Sequence, residues 1–268
     1  MNFKSIGKNQ KRGGFDYLLL GVDIGATNTR LGIFVIKGEK LKMLCYSKAK
    51  SGRLRSLIGI MNGAADYAGK KYNYSLKKAC IGIAGIVSKE NGYAEMTNLR
   101  LRLNKNILLK NTKLKEMLFV NDFEAIGYGI NILPRNNIIS IKKSGNKIAK
   151  APVVVIGAGT GLGKTTLLYS NELKCYVPVP SEAGHTDFAA QSGEEIELAD
   201  FIKRHEKIQS VSYEDVLSGR GLSRIYAFLI SKGLKPTKYA KEINKAKNKP
   251  ELISKYRKVD GTCKKTFE

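Results

Sequence analysis

Short apolar runs bounded by turn residues open the chain. Residues 17–22 form such a run, which predicts a buried strand. The apolar pattern resumes at residues 31–36 after a polar turn, and the two runs together predict a hairpin. Residues 41–47 predict a third strand. Between residues 56 and 71, leucine, isoleucine, methionine and alanine recur at helical spacing, which predicts an amphipathic helix.

The pattern then alternates between buried strands and helices. Residues 79–87 predict a buried strand that is broken by small residues, and residues 118–120 predict another that ends at Asn121-Asp122. The helix leaving that strand is expected over residues 123–130. This alternation is typical of an α/β protein.

A second β-rich opening follows with the same design. Residues 152–156 predict an apolar strand that leads into the glycine loop Gly157-Ala-Gly-Thr-Gly-Leu-Gly163, and residues 165–169 and 173–177 predict the next strands. Two openings of the form strand, small-residue loop, strand suggest two related domains that face one cleft. Glycines lack Cβ atoms, so the backbone N–H groups of such loops can surround phosphate oxygens.

Helices dominate the remainder of the pattern. Residues 194–203 and 222–229 carry apolar residues at helical spacing. Ser212 is expected to cap a helix, with Asp215 completing a capping box. After Lys232 the sequence is polar and predicts helix at best.

Composition narrows the class of protein. The chain has 268 residues with 43% hydrophobic and 26% charged residues, which is typical of a folded domain. Its longest uncharged stretch, 13 residues between Lys150 and Lys164, is too short to span a bilayer. We therefore expect a soluble cytoplasmic protein with no membrane partner.

Cysteine and histidine are too sparse and too scattered for several kinds of site. The four cysteines form no CxxC pair, and only two histidines are present, which argues against a disulfide scaffold and a clustered zinc site. The cysteines are Cys45, Cys80, Cys175 and Cys263.

The charge is strongly basic, with 47 Lys and Arg against 23 Asp and Glu and a net charge of +24. Such a balance can indicate a nucleic-acid partner. The basic residues are spread along the chain instead of forming one cluster, which favours a solvated lysine-rich surface. No specific nucleic acid is expected, and residues 1–15 predict a flexible basic arm.

Candidate chemistry first appears in Asp23-Ile-Gly-Ala-Thr-Asn-Thr-Arg30. A carboxylate at a strand end can hold Mg²⁺ through water, while Thr27 and the backbone can reach a phosphate. Arg30 could add charge or pair with Asp23, and the alternative for the whole motif is a tight hairpin turn.

The glycine loop is the denser signal, and Gly163-Lys164-Thr165 invites comparison with the end of a P-loop. Ala158 stands where the first P-loop glycine would be, and the residues after Lys164 predict a strand where a P-loop needs a helix. The P-loop is therefore the weaker alternative. Lys164 could add charge near a phosphate or point away.

Two further places combine residues that suit a polyol substrate. Asp122 lies at a strand end, where its carboxylate could take a proton from a substrate hydroxyl or cap the next helix. In Ser181-Glu-Ala-Gly-His185, Glu182 and His185 could converge on a polyol from a loop. His205 is expected to be a surface residue.

Six ordered motifs together resemble the bacterial-type glucokinases of the actin-like sugar kinase superfamily. They are Asp23-Ile-Gly-Ala-Thr-Asn-Thr-Arg30, Thr97-Asn98-Leu99, Phe119-Val-Asn-Asp-Phe123, Gly157-Ala-Gly-Thr-Gly-Leu-Gly163, Ser181-Glu-Ala-Gly-His-Thr-Asp-Phe188 and Tyr213-Glu-Asp-Val-Leu-Ser-Gly219. The branch of repressors, open reading frames and kinases is less similar, because its zinc-binding cysteine cluster is absent.

The resemblance implies an α/β fold of two ribonuclease H-like (actin-like ATPase) domains around a cleft. The small N-terminal domain would span residues 16–121 and the large domain residues 122–268, incomplete at its C-terminus. Family members continue past this region with a glycine-rich adenosine-binding segment and a final helix, so a chain truncated relative to the family is expected.

The implied reaction is ATP-dependent phosphorylation of glucose at its 6-hydroxyl, the first step of glycolysis, with ATP and Mg²⁺ as cofactors. Asp122 would bind the sugar and act as the general base, and Asp23 would organise Mg²⁺ through water. The residues implied to hydrogen-bond the sugar are Asn98, Asn121, Glu182, His185 and Glu214. Those implied to cradle the ATP phosphates are Gly25, Thr27, Gly159, Thr160 and Gly161.

A second hypothesis from a different class is a non-catalytic sugar-binding or regulatory remnant of a sugar kinase. It would retain Glu182, His185 and Glu214 but lack nucleotide affinity. The expected partners are glucose and ATP, and a homodimer is left open.

Overall fold

The structure, a computed structural model, describes residues 2–6, 16–25, 27–38, 40–96, 99–142, 145 and 148–268. The chain forms two compact units, Met1–Lys143 (unit 1) and Ser144–Glu268 (unit 2). The domain boundary at residues 121 and 122 stays a prediction. Helix α3 (Asp122–Ile130) lies within unit 1 and packs on two strands of its sheet.

Unit 1 is built on one six-stranded sheet and a three-stranded sheet. The strands of the six-stranded sheet are β1 (Lys4–Ser5), β2 (Tyr17–Ile24), β3 (Asn28–Lys37), β4 (Lys40–Lys50), β5 (Lys78–Ile83) and β9 (Glu116–Asn121), and those of the three-stranded sheet are β6 (Ile86–Ser88), β7 (Tyr93–Met96) and β8 (Leu101–Asn104). The larger sheet has the order β1-β4-β3-β2-β5-β9. Strands β2, β3 and β4 run antiparallel, while β5 and β9 run parallel to β2.

The predicted first hairpin is confirmed as β2 and β3. Every second residue of β2 is buried, which matches the alternation of a strand with one face in the core. Helix α1 (Leu54–Tyr72) buries Leu57 and Met61 in the same core. The predicted strand over residues 79–87 divides into β5 and β6 at a turn, in which the Gly85 N–H donates to the carbonyl of Ile83 at 2.9 Å.

Part of the predicted N-terminal arm is described. Lys4 and Ser5 pair with β4, and the ring of Phe3 stacks on Tyr67 at 4.4 Å between centroids. Residues 7–15 of the predicted arm lie outside the described residues.

Unit 2 contains a three-stranded sheet of order β10-β11-β12, formed by β10 (Val153–Ala158), β11 (Leu162–Ser170) and β12 (Cys175–Ser181). All pairings are antiparallel, and the predicted second hairpin is confirmed as β10 and β11. The capping box predicted at Ser212 and Asp215 is also confirmed.

Six α-helices follow this sheet in the part of unit 2 that the structure describes. They are α4 (Gly193–Glu206), α5 (Tyr213–Val216), α6 (Gly219–Ser231), α7 (Ala240–Lys245), α8 (Lys249–Tyr256) and α9 (Gly261–Lys265), whereas unit 1 has α1, α2 (Lys105–Asn111) and α3. Among the residues that the structure describes, no helix combines the length and the apolar character that a membrane crossing requires.

Candidate functional site

The carboxyl ends of three parallel strands of unit 1 meet at one edge of its sheet. Ile24 of β2 pairs with Ile83 of β5, which in turn pairs with Asn121 of β9. Asp23 lies one residue before this row and Asp122 one residue after it. Two strand spacings separate β2 from β9, so the two carboxylate-bearing strand ends are roughly 9.5 Å apart.

Asn121 holds the start of α3. Its Oδ1 accepts a hydrogen bond from the Phe123 N–H at 2.9 Å, which makes Asn121 the N-cap of the helix. Its Nδ2 donates to the carbonyl oxygen of Gly85 at 3.2 Å, in the turn that follows β5. The amide predicted to bind sugar is therefore engaged in fixing the strand-to-helix junction.

Asp122 occupies the first turn of α3 and is partly exposed. Its Oδ1 accepts from the Phe123 N–H at 2.9 Å. The positive end of the helix dipole favours negative charge at this position. A carboxylate held so can serve as a hydrogen-bond acceptor or a proton acceptor.

A buried acid on the same helix went unpredicted. Glu124 is only 2% exposed and pairs with Lys89, which follows β6. Beside this pair, burial and the negative charge of Glu124 raise the pKa of the Cys80 thiol. The helix approaches β5 closely, since a Cβ added at Gly82 would lie 3.4 Å from the Cβ of Ala125. The Lys89–Glu124 pair therefore anchors the helix that carries Asp122.

Asp23 has a partner across the hairpin. Arg30 Nη1 lies 2.9 Å from Asp23 Oδ2, and the Asp23 side chain remains 49% exposed. Next to it, the hydroxyl of Ser51 donates to the carbonyl of Gly25 at 2.6 Å, and the Ser51 N–H donates to the carbonyl of Thr27 at 3.0 Å. Ser51 therefore fixes the loop, a role for which the sequence offered no signal.

The donor set around Asp23 fits a hydrated Mg²⁺ shared with a substrate. Among the described residues, no group of three or more His, Cys, Asp and Glu side chains could hold a metal by itself. Mg²⁺ usually keeps several waters and uses one or two carboxylates together with substrate phosphates. A single half-exposed carboxylate matches that mode.

In unit 2, the glycine loop is the turn of the β10–β11 hairpin. The Gly159 N–H donates to the carbonyl of Gly161 at 2.8 Å, and Thr160 is exposed at the tip. Gly163, Lys164 and Thr165 lie within β11. Because a P-loop requires a helix at this point, the structure excludes the P-loop alternative.

Glu214 lies against this loop. Its side chain is 14% exposed, its Oε2 accepts from the Leu162 N–H at 3.0 Å, and its Oε1 pairs with Arg220 Nη2 at 2.6 Å. A Cβ added at Gly161 would collide with the same carboxylate, so a larger residue there would force this acid to shift. The carboxylate predicted to bind sugar is thus bonded to the glycine loop and to Arg220, a residue that the sequence did not single out.

The turn that carries Glu182 and His185 adjoins the same strand. Both side chains are mostly exposed, and Glu182 Oε2 lies 3.9 Å from His185 Nε2. Gly184 packs so closely on the carbonyl of Leu162 that a Cβ would collide with it. Leu162 therefore contacts both the turn and Glu214, which brings these three predicted residues into one neighbourhood.

A cavity of about 770 Å³ adjoins the glycine loop within unit 2. Gly159 and Thr160 line one side, and Arg220 and Arg224 from α6 line another. His205, predicted to be a plain surface residue, is exposed and also lines this cavity. The cavity therefore combines a glycine turn with cationic side chains.

Arg224 links the cavity wall to α5. Its guanidinium lies 2.7 Å from Asp215 Oδ1 and 3.2 Å from Glu206 Oε1. Burial opposes ionisation of Asp215, but hydrogen bonds from Ser212 and Arg224 outweigh it and lower the pKa of this carboxyl. One predicted residue, Asn98, lies outside the described residues.

Comparison with known proteins relates the whole chain to one family. A family model described as glucokinase matches residues 20–268. The glucokinase of Nostoc sp. is 35% identical over 213 residues, covering 79% of this chain and 60% of the relative. This chain thus spans about 60% of the length of that curated relative.

Solved structures agree with this relation. A glucokinase from an Antarctic psychrotroph has a TM-score of 0.69 at 22% identity, covering 93% of this chain and 74% of its own. A Balamuthia mandrillaris glucokinase in complex with glucose has a TM-score of 0.68 at 22% identity, covering 94% and 72%. These likenesses confirm the predicted α/β fold class of the actin-like sugar kinases.

Proposed function

The chain belongs to the glucokinase family, and we propose that it transfers the γ-phosphoryl group of ATP to the 6-hydroxyl of glucose. The observation that carries the proposal is the pair of carboxylates, Asp23 and Asp122, at the ends of parallel strands in one unit. Unit 2 by itself carries a glycine loop beside a cavity lined by Arg220 and Arg224, groups of the kind that phosphates require. A glycolytic role in the cytoplasm belongs to the same proposal.

Asp122 is proposed as the general base. Its carboxylate sits at the start of α3, which Asn121 caps and Glu124 anchors through Lys89. In this position it would accept the proton of the sugar hydroxyl as the oxygen attacks phosphorus. A positioned base of this kind contributes about 10²–10⁴-fold in rate.

The phosphates of ATP are proposed to lie against the glycine loop. Gly159, Thr160 and Gly161 have small side chains or none, which would let phosphate oxygens approach the backbone. The guanidinium of Arg220, which lines the adjoining cavity, would add positive charge beside the phosphates. The nucleoside is proposed to occupy the cavity of about 770 Å³ next to the loop. When bound, Mg²⁺ at Asp23 would neutralise phosphate charge.

Glu182 and His185 are proposed to bind the sugar hydroxyls, since both are exposed on one turn. Glu214 would reach the sugar only by exchanging its bond with Leu162 or Arg220. Asn121 is proposed to contact the sugar while its Oδ1 still caps α3. Asn98 is proposed as a sugar-binding residue on the family resemblance alone.

A coupled assay with glucose, ATP and Mg²⁺ tests the proposal. We expect turnover by the wild type and a loss of about 10²–10⁴-fold in kcat for Asp122→Asn, because the amide cannot accept the proton. The matched control is Asp66→Asn, an exposed carboxylate on α1 that pairs with Lys113. Unchanged kcat in Asp122→Asn would eliminate this base. Glucose binding by calorimetry without turnover would instead favour the non-catalytic remnant.

A further inference from the structure

A second cavity lies within unit 1, and none of its described lining residues has a role in the proposed kinase reaction. Its volume is about 420 Å³. One wall is formed by residues 52–54 at the start of α1, and the other by residues 99–102. Small-molecule sites usually have volumes of about 300–1,000 Å³, so this cavity is large enough for a small metabolite.

Three of the side chains that line this cavity are arginines. They are Arg53, which is the N-cap residue of α1, Arg100, which precedes β8, and Arg102 within β8. No acidic side chain is among the described residues that line it. Because guanidinium groups on one concave surface repel each other, such a surface favours an anion between them.

Arg102 is held in place by a cross-strand network. Its Nε donates to Glu95 Oε1 at 3.1 Å, and Glu95 Oε2 accepts from the Tyr93 hydroxyl at 2.8 Å. The hydrogen bonds from Tyr93 and Arg102 lower the pKa of the Glu95 carboxyl, so this acid stays ionised at neutral pH. Within the described part of the chain, only the Nε of this guanidinium has a partner, so its two Nη groups keep donors for a ligand.

Arg53 and Arg100 have no such partner. Neither side chain forms an ion pair or a hydrogen bond with any residue that the structure describes. The first turn of α1 also carries no acidic residue that could offset their charge. Two of the three guanidinium groups therefore have their full set of donors available.

The cavity of unit 2 provides a comparison. Its arginines, Arg220 and Arg224, are each paired with a carboxylate, and Glu206 and Glu251 are among its lining residues. Unpaired guanidinium groups are therefore a particular property of the unit 1 cavity and do not follow from the basic composition of the chain.

The donor set indicates the class of ligand. The planar guanidinium group matches the oxygens of phosphate and carboxylate groups and binds them through two parallel hydrogen bonds. No aromatic side chain is among the described lining residues, so these walls offer no stacking surface for a nucleobase. Leu54 and Leu99 can contact a short carbon skeleton, while several guanidinium groups favour a doubly charged group.

We propose that this cavity binds a small phosphate monoester, with its dianionic phosphate group held by Arg53, Arg100 and Arg102. The carbon skeleton of the ester would lie against the leucine side chains. This site is additional to the proposed ATP and glucose sites, and its occupancy does not depend on the kinase reaction.

Titration calorimetry of the full chain with glycerol 3-phosphate tests the proposal. Inorganic phosphate and glycerol are titrated separately, because they represent the phosphate group alone and the carbon skeleton alone. We expect saturable one-to-one binding of glycerol 3-phosphate, weaker binding of inorganic phosphate and no binding of glycerol. Glucose and ATP are left out, so the result is independent of whether the chain is a kinase.

Substitutions locate the binding. Arg53→Gln and Arg100→Gln should each weaken the binding of glycerol 3-phosphate about tenfold or more, because each removes charge-assisted hydrogen bonds to the phosphate. Arg55→Gln is the matched control, since Arg55 is an exposed arginine in the first turn of the same helix and does not line the cavity. Circular dichroism establishes that each variant is folded.

Three results would overturn the proposal. The first is no saturable binding of glycerol 3-phosphate by the folded wild type. The second is binding that Arg53→Gln and Arg100→Gln weaken no more than Arg55→Gln does, which would assign it to the overall charge of +24. The third is equal affinity for inorganic phosphate, which would make the free ion the ligand.

Discussion

The two units of this chain differ in how far their sheets are buried in a hydrophobic core. Among the described residues of unit 1, one hydrophobic cluster of 26 buried residues joins its sheet to α1. In unit 2, the two clusters contain six and four buried residues, all contributed by helices and the segments between them. The β10–β11–β12 sheet adds none of its residues to either cluster. A sheet of the same initial order is thus part of the core in one unit and lies outside both hydrophobic clusters in the other.

Strand order alone therefore does not determine whether a sheet is buried in a domain core. β2 is buried because β5 and β9 extend its sheet and α1 packs against it, whereas β10 has neighbours on one side only among the described residues. Burial of apolar surface contributes about 25 cal/mol per Å², so the covered sheet should be the more stable of the two.

Truncating one buried leucine in each sheet should reveal the largest difference between the two units. Leu20 in β2 and Leu167 in β11 are both 0% exposed. We expect Leu20→Ala to cost about 4 kcal/mol and Leu167→Ala about 2 kcal/mol, since a rigid core keeps its cavity and a looser site collapses. Urea unfolding, followed by hydrogen exchange in peptides from each unit, measures both. Equal costs would mean that the two sheets are equally well packed.

Much of this contrast is visible in the sequence, because period-two and helical patterns record which faces are buried. The hairpins, α1 and the Ser212 capping box were all predictable from such local patterns. The short strands β7 and β8 were not, since four residues carry too little periodicity. The division between β5 and β6 falls at a turn in which the Gly85 N–H donates to the Ile83 carbonyl, where the small residues had predicted only a break within one strand.

The candidate site shows the same limit. Asp23 and Asp122 could be found because each follows an apolar strand. The contact of Glu214 with Leu162 joins residues 52 positions apart, and the pairing of Lys89 with Glu124 joins residues 35 apart. Their chemistry depends on the tertiary fold, so the sequence could suggest the residue types but not their bonds.

A substitution in the glycine loop of unit 2 should have a smaller effect on stability. Gly161→Ala should cost about 2 kcal/mol, because the new Cβ collides with the Glu214 carboxylate and forces the loop or the acid to move. ATP affinity should fall at the same time. The matched control is Gly193→Ala in α4, where a Cβ meets nothing within 4 Å.

Thermal unfolding and equilibrium nucleotide binding separate the two consequences of Gly161→Ala. If stability and ATP affinity both equal those of the Gly193→Ala control, the tight contact between the loop and Glu214 is unimportant. If stability falls while ATP affinity holds, the loop supports unit 2 without cradling phosphates.

Acid should reveal the smallest difference between the units. Among the described residues, unit 2 has three carboxyls whose pKa is lowered, Asp215, Asp260 and Glu195, whereas unit 1 has Glu95. A lowered folded-state pKa adds stability above the unfolded value, which is about 3.9 for Asp, and that stability is lost as pH falls through the folded value. Unit 2 should therefore lose protection before unit 1 as the pH drops below about 4.

Asp215→Asn tests which bonds cause this acid sensitivity. The wild-type carboxylate accepts from the Ser212 N–H and hydroxyl and from Arg224, bonds that favour its ionised form. The variant should reduce the difference in unit 2 stability between pH 7 and pH 3 by about 1 kcal/mol, read by hydrogen exchange. Asp200→Asn, an exposed carboxylate on α4, is the control. If Asp215→Asn keeps the full wild-type pH dependence, the acid sensitivity of unit 2 must come from Asp260 or Glu195 instead.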